Sequence, residues 1–537
     1  MAGSLPLHRQ ARPPPARRLH QKHLKRYQIS DNKAVSPRFP FLILQKAQRP
    51  VTSTQTLEYL FHEYWPHIIF VVSLVISLAA AVHIAMTKRD ARAAIGWVGV
   101  VMLSPILGTL LYIIAGINRV REKRVSQQRS ETHLDAYPDM RPSDVDLLHT
   151  FGAALAGQKT LGDRVSEFPL LDGNLVQILA GGDNTYPAML EAIRNAKTCI
   201  AMQSYIFDHD RIGMEIAQAL VDAHQRGVQV RVLVDAVGEK YSHPPISRIF
   251  AQHKVPHARF MSTGLGFRLA YANMRSHRKI LVIDGCLGFT GGMNIREAFT
   301  HQYGGDNMAL DTHFRLEGPI VSQLMYGFAH DWEFTTGESL YDTQCDWFPV
   351  IPTPGYVPAR CVPSGPDQAL GSNHSMIMGA LAAAQHHVMI QTPYFLPDPA
   401  LIGALATTAR RGVTVDIVIP GQNNLRLVDF AMKAQIDLVI ANGCRVWRTN
   451  GGFDHSKLMT LDDTYSYVGS SNMDPRSLRL NFEMDVEIYD RNTADWIKQR
   501  IQSQIDSATL VTLEHLNSQP FLNRLRNKII WLASPYL

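Results

Sequence analysis

Two stretches of the chain carry the same set of chemically capable side chains. The first reads His277-Arg-Lys279-Ile-Leu-Val-Ile-Asp284 and continues to Gly291-Gly292-Met-Asn294. The second reads His455-Ser-Lys457-Leu-Met-Thr-Leu-Asp462 and continues to Gly469-Ser470-Ser-Asn472. The spacing from histidine to asparagine is identical in the two copies. One such match in a chain of 537 residues would be weak evidence, because chance supplies it with a probability of several per cent. Two copies with the same downstream offset are not accidental.

Histidine and lysine two residues apart at the start of a strand project to one face, since side chains alternate with period two. The apolar runs after Lys279 and Lys457 anchor each strand in a core. If the copies meet about a pseudo-twofold axis, two imidazoles, two ammonium groups and two carboxamides converge on one pocket. That set suits a phosphodiester. Lys279 and Lys457 supply charge for the equatorial oxygens, and Asn294 and Asn472 supply N–H donors. Ser470 adds a hydroxyl for phosphate on one side only, because Gly292 holds the matching place. One histidine attacks phosphorus in line while the other protonates the leaving oxygen. Asp284 and Asp462 complete each motif and are expected to brace the strand and its turn.

The elements that must position these groups are duplicated as well. Ile200–Phe207 is echoed by Val388–Phe395, with Gln203 and Gln391 at the same point. The helical stretches Ala219–Gly227 and Ala404–Gly412 each end on a glycine. The strands Val228–Val234 and Val413–Ile419 follow. Strand, helix, strand in this order predicts parallel β-α-β units and an α/β fold.

The paired motifs resemble the twin signature of the phospholipase D superfamily, over roughly Pro169 to Leu537. The resemblance implies two similar phospholipase D-like domains, each a mixed β-sheet flanked by helices, related by a pseudo-twofold axis. It implies a covalent phosphohistidine on His277, with His455 as acid and then base, and no metal or other cofactor. It further implies a carboxylate behind each histidine, with Glu483 expected to hold His455 and Asp311 to hold His277.

Two uncharged runs precede the duplicated region, at about 68–86 and 95–117. At about 1.5 Å per residue each is long enough for about 30 Å of hydrocarbon, so a two-helix transmembrane hairpin is expected over 61–120. Pro105 is expected to kink the second helix. Lys88, Arg89 and Arg92 lie in the turn, but the basic residues of the two flanks outnumber them. Both termini, and so the catalytic domains, are therefore expected on the cytoplasmic side of a bacterial inner membrane. Residues 1–60 form a basic tail, expected to be disordered, with eleven Lys and Arg in the first fifty positions against one acid, Asp31. A polar linker is expected over 121–168, followed by domains at 169–345 and 346–537.

Five scattered cysteines with no Cys-x-x-Cys pair argue against a disulfide framework. His386, His387, His243, His253 and His257 lack a second ligand pair at metal spacing. The C-terminal stretch from Phe521 mixes basic and aromatic residues, which suits an interfacial helix or burial against the second domain.

The twin motif gives a reaction class and not a substrate. Two spans, the sequence Asp474-Pro-Arg-Ser477 and the sequence Leu480-Asn-Phe-Glu483 are similar to bacterial cardiolipin synthases. The resemblance implies phosphatidyl transfer between two phosphatidylglycerol molecules, giving cardiolipin and glycerol. The partner is then anionic phospholipid in a membrane, with no nucleic acid expected. A hydrolytic phospholipase D would use the same residues with water as acceptor. A membrane-bound nuclease would exploit the basic tail but lacks repeated base-stacking aromatics. A lipid-binding scaffold would not need the six motif residues intact.

Overall fold

The computed structural model describes residues 53–88, 90–116, 140, 145–261, 274–305, 308–341 and 345–534. The basic tail before residue 53 lies outside the described residues, as does most of the expected linker. The chain divides into two compact units, Met1–Ile117 and Asn118–Leu537.

The first unit is helical. Helix α1 (Ser53–Thr87) contains the expected first span, and its stretch His62–Thr87 is long and apolar enough to cross a membrane. Asp90 caps helix α2 (Ala91–Leu103) by accepting from the amides of Arg92 and Ala93. The second run then departs from expectation. Ser104 leaves the helix at φ −138°, ψ 79°, and a new helix α3 (Pro105–Leu111) starts in another direction. The residue before a proline is pushed out of the α region, and proline has no amide to continue the ladder.

Helix α3 folds back along α2. Gly108 lies so close that a Cβ there would fall 2.3 Å from the Val100 carbonyl. The Tyr112 ring packs edge-on against Trp97 at 5.5 Å, and its hydroxyl sits 2.8 Å from His83 Nδ1. Lys88 Nζ donates to the Gly116 carbonyl at 2.5 Å, so the run ends at the level where it began. The continuous second crossing expected over 95–117 is thus replaced by two short antiparallel helices. With 13 residues, α2 is about 20 Å long, short of the roughly 30 Å of a hydrocarbon core.

The second unit is an α/β body built from two copies of one sheet pattern. The first copy contributes β1 (Leu171–Ala180), β2 (Cys199–Ser204), β3 (Gln229–Asp235), β4 (His257–Phe260), β5 (Arg275–Ser276), β6 (Ile280–Ile283), β7 (Leu287–Gly291) and β8 (Thr312–Glu317). The second contributes β9 (Val357–Ser364), β10 (His387–Gln391), β11 (Thr414–Ile419), β12 (Arg445–Arg448), β13 (Leu458–Leu461), β14 (Tyr465–Gly469), β15 (Asn481–Tyr489) and β16 (Thr509–Leu510). The orders β1-β8-β7-β6-β2-β3-β4 and β9-β15-β14-β13-β10-β11-β12 are the same pattern, and the halves join through β1 and β9. In each half the expected β-α-β unit gives parallel pairs, while the motif strands β6 and β13 run antiparallel to their neighbours. The sheets are therefore mixed.

The helices ending near the two matched glycines are Arg211–Gln225 and Pro399–Arg410. Gly227 and Gly412 take φ of 95° and 91°, the left-handed conformation that ends them. The end of the expected linker is not a spacer. Helices Leu147–Phe151 and Ala153–Val165 pack on the second half, where Gln158 donates to the Met376 carbonyl and to the Tyr465 hydroxyl. Asp163 also pairs with the fully buried Arg360 at 2.8 Å.

Candidate active site

Each motif begins just before an apolar strand whose four residues are all buried, β6 in one copy and β13 in the other. Period-two alternation leaves His277 with Lys279, and His455 with Lys457, on one face. Exposure falls to 7% for each histidine, 3% for Lys279 and 5% for Lys457, so four polar groups share an interior. Lys279 donates to the His277 carbonyl at 2.6 Å, and Lys457 donates likewise to the carbonyl of His455. The two motifs converge. Burial is the first cause that lowers the pKa of both histidines, and each also feels the lysine of the opposite motif, His277 that of Lys457 and His455 that of Lys279.

The carboxylates approach crosswise. His277 Nδ1 lies 2.9 Å from Glu483 Oε2, and His455 Nδ1 lies 2.8 Å from Asp311 Oδ2. This corrects the expectation that Glu483 holds His455 and Asp311 holds His277. The backbone explains the exchange. The short strand β5 pairs in parallel with the start of β15, and the His277 amide donates to the Phe482 carbonyl at 2.8 Å. In the second copy Leu310 and Asp454 form the matching bridge, and the His455 amide donates to the Leu310 carbonyl at 2.7 Å. Each histidine is thus carried across to the strand of the opposite half.

The two sides differ in what holds the carboxylate. Glu483 accepts from the Ser470 hydroxyl at 2.6 Å and from Asn481 at 3.1 Å. Burial would raise its pKa, but His277, Lys279 and Ser470 hold it below the usual value. Asp311 has the amide of Thr312 instead, and burial holds its pKa up. Gly292 stands where a serine would; even a Cβ there would fall 2.5 Å from Asp311. The Ser470 hydroxyl, expected on phosphate, is therefore committed to Glu483.

Asn294 Oδ1 accepts from the Ile206 amide at 3.1 Å, which anchors the carboxamide by its oxygen. Asn472 donates to the Ser477 hydroxyl at 3.3 Å, and its oxygen is buried with no hydrogen-bond partner among the described residues. Asp284 accepts from the amides of Lys197, Thr198 and Cys199, and Asp462 from those of Gln385, His386 and His387. Both aspartates adopt positive φ, 51° and 50°, at the turn between paired strands. They tie the motif strand to the preceding β2 or β10.

Burial dominates the electrostatics. It lowers the pKa of both histidines, so the imidazoles are neutral and able to accept a proton or attack. It also pushes Lys279 down to about 7 and Lys457 to about 8, against the pull of Glu483 and Asp311. An entering phosphodiester anion would return both lysines to full charge.

Several contributors had weaker sequence signals. Tyr205 stacks edge-on to His277 at 5.1 Å, and Tyr394 faces His455 at 6.3 Å. His313 and Asp485 lie two residues beyond each orienting carboxylate, hence on its face, and both are buried. Burial lowers His313 to about 4 and raises Asp485 to about 7. The other histidines singled out lie elsewhere: His257 bonds the Val255 carbonyl and His387 pairs with Asp416.

Comparison with known proteins finds likenesses of family and of fold. A family model described as "Cardiolipin synthase, PLD-like domain" matches residues 189–332 and 377–505, and one described as "Phospholipase_D-nuclease N-terminal" matches 75–116. Cardiolipin synthase A of Pseudomonas entomophila is 31% identical over 474 residues, covering 86% of this chain and 96% of the relative. Cardiolipin synthase A of Pseudomonas putida is 30% identical over 470 residues with the same coverage. The cardiolipin synthase of Geobacillus thermodenitrificans is 28% identical over 498 residues, 89% of this chain and 96% of its own length. Among solved structures, the phosphatidylserine synthase of Haemophilus influenzae superposes with a TM-score of 0.54 at 18% identity, over 71% of this chain and 99% of that one. That likeness concerns the fold.

Proposed function

Because the chain belongs to the cardiolipin synthase family of the phospholipase D superfamily, we propose that it joins two phosphatidylglycerol molecules through a phosphatidyl-histidine. It is a membrane-associated enzyme acting on phospholipid.

His277 Nε2 attacks the phosphorus of one phosphatidylglycerol and breaks the bond to the glycerol headgroup. His455 gives the departing glycerol oxygen a proton, so it must enter this step protonated. A bound phosphodiester anion favours that form in an otherwise cationic pocket. Lys279 and Lys457 balance the charge on the equatorial oxygens, and the carboxamide of Asn294 offers an N–H. His455, now neutral, takes the proton from the terminal hydroxyl of a second phosphatidylglycerol. That oxygen attacks the intermediate, releasing His277 and forming cardiolipin. Transfer outruns hydrolysis where the pocket excludes water and seats the acceptor.

The observation that carries the reading is the pair of buried histidines, each backed by a carboxylate from the opposite half. Assigning attack to His277 is supported by Glu483, which Ser470 and Asn481 hold as an anion against the Nδ1 side of that ring. Purified protein given phosphatidylglycerol labelled in the headgroup glycerol should release free glycerol and form cardiolipin in equal amounts. Phosphatidic acid with no cardiolipin would refute the transferase reading.

The membrane arrangement we propose follows the fold of the first unit, with α1 as the full crossing and α2 and α3 as a re-entrant pair. In the sequence, Lys88, Arg89 and Arg92 after α1 and Arg119, Arg121, Lys123 and Arg124 after the pair together outnumber Lys46 and Arg49 close before α1. The positive-inside rule puts the catalytic domains in the cytoplasm of a bacterial cell and the N-terminus across the inner membrane. Reporters fused before Met1 and after Leu537 should report opposite addresses; a shared address would overturn the re-entrant arrangement.

A further inference from the structure

The helix Phe521–Trp531 docks on the second half by one face only. Asn527 is buried, and Ile530 and Trp531 pack against the core. Lys528 Nζ reaches the Ala434 carbonyl at 2.5 Å, and the Arg526 guanidinium lies 3.9 Å from the Phe430 ring centroid. The opposite face is apolar. Leu522, Leu525, Ile529 and Leu532 recur three, four and three residues apart, which aligns them in one stripe, with Phe521 beside it. Their exposures are 75%, 42%, 57% and 72%, and that of Phe521 is 70%. Single exposed leucines are ordinary, but a contiguous outward stripe on an already docked helix is an interaction surface.

Charge identifies the partner. Arg524 and Arg526 border the stripe, as does Lys528, whose ammonium also lies 3.3 Å from Asp437 on the adjoining body, and no acid occurs from Phe521 to Leu537. An apolar ridge between long basic side chains matches an anionic interface, where the stems lie along the hydrocarbon and the charges reach headgroups. The ridge also leads to the catalytic pocket. The adjoining helix Arg426–Lys433 adds exposed Leu427, and Leu425 is exposed just before it. Asn424 Oδ1 accepts from the Tyr394 hydroxyl at 2.8 Å, and the Tyr394 ring faces His455.

We propose that the outward face of Phe521–Trp531, extended by Leu425 and Leu427, docks on an anionic phospholipid surface and presses the His455 side of the pocket against it. This rests on the reading that the substrate is a membrane phospholipid, and it names the part of the catalytic unit that meets that membrane.

The test uses the full chain in vesicles, with the partly exposed Cys286 and Cys345 replaced by serine. An environment-sensitive fluorophore is placed on Leu525→Cys or, as a reference, on Gln218→Cys, which is exposed on the helix Arg211–Gln225. In vesicles of phosphatidylglycerol and phosphatidylcholine, the probe at 525 should be quenched by spin-labelled lipid, and the probe at 218 should not. Vesicles of phosphatidylcholine alone should weaken the quenching. Equal accessibility of both probes to water would overturn the proposal. So would a blue shift at 525 without lipid quenching, which would mean that protein covers the ridge. The readout needs no turnover, so the His277→Ala background should behave identically even if the catalytic reading fails. L522E/I529E should raise the KM for vesicle phosphatidylglycerol about tenfold while turnover of short-chain phosphatidylglycerol in detergent stays as in the unmutated chain.

Discussion

His277 and Glu483 meet across the two halves of the catalytic unit, Nδ1 to Oε2 at 2.9 Å, and His455 and Asp311 repeat the relationship in reverse at 2.8 Å. Neither half therefore holds a complete site. A carboxylate on Nδ1 fixes the tautomer that leaves Nε2 free and stabilises the imidazolium when it forms. Glu483→Gln and Asp311→Asn should each lower kcat by about 10²–10⁴-fold with a small change in KM. Steady-state kinetics on phosphatidylglycerol check this. Rates within a factor of two of the unmutated enzyme would remove both carboxylates from the mechanism.

Ser470 and Gly292 make the two sides unequal, which predicts unequal consequences. Ser470→Ala removes one donor from Glu483 and should reduce kcat by about tenfold, near the net value of a hydrogen bond to a charged group. Gly292→Ala puts a Cβ 2.5 Å from Asp311 Oδ1 and must displace the carboxylate that holds His455. It should cost more activity than Ser470→Ala does. Thermal unfolding measured alongside separates displacement from misfolding.

Asp284 and Asp462 act on the frame. Each accepts three backbone amides at a positive-φ turn. Asp284→Ala should destabilise the catalytic unit by about 1–3 kcal/mol, the penalty for stranding such donors. Burial works to raise the Asp284 pKa, yet the amides of Thr198, Lys197 and Cys199 hold it below the usual value. Its stabilising contribution is thus present above the unfolded pKa and lost as pH falls through the folded one. In melts at falling pH, the gap between Asp284→Ala and the unmutated chain should close.

Much of this was legible in the sequence because it lies in repetition. Duplicated strands, helix-ending glycines and twin motifs with equal offsets specify two halves and a shared pocket. The crosswise pairing was not legible, because it depends on β5 crossing to β15, a contact between residues about two hundred positions apart. The role of Ser470 was hidden although its partner Glu483 is only 13 residues away, because the contact depends on how β14 leads into the neighbouring strand β15. The break at Ser104 was signalled by Pro105, but hydropathy reads composition and not direction.

The pH dependence follows from burial. Burial lowers the pKa of His277, so on the acid side kcat/KM should fall only as pH drops below the ordinary histidine range and the attacking ring becomes charged. Burial also brings Lys279 to about 7 and Lys457 to about 8, so kcat/KM should fall as pH rises through 7 to 8 and the ammonium charge is lost. Bound phosphodiester restores that charge. The basic limb of kcat should therefore lie at higher pH than the basic limb of kcat/KM, which reports the free enzyme. Superimposed basic limbs would contradict it.

The central claim is that one buried histidine carries the phosphatidyl group between two lipids. The most direct measurement is a rapid quench of the full-length enzyme with phosphatidylglycerol labelled in its acyl chains, followed by peptide mapping of the covalent adduct. The account predicts transient label on His277, absent in His277→Ala, which chases into cardiolipin when more phosphatidylglycerol is added. Label on His455 would reverse the assigned roles, and cardiolipin formed with no histidine adduct at any time would contradict the mechanism.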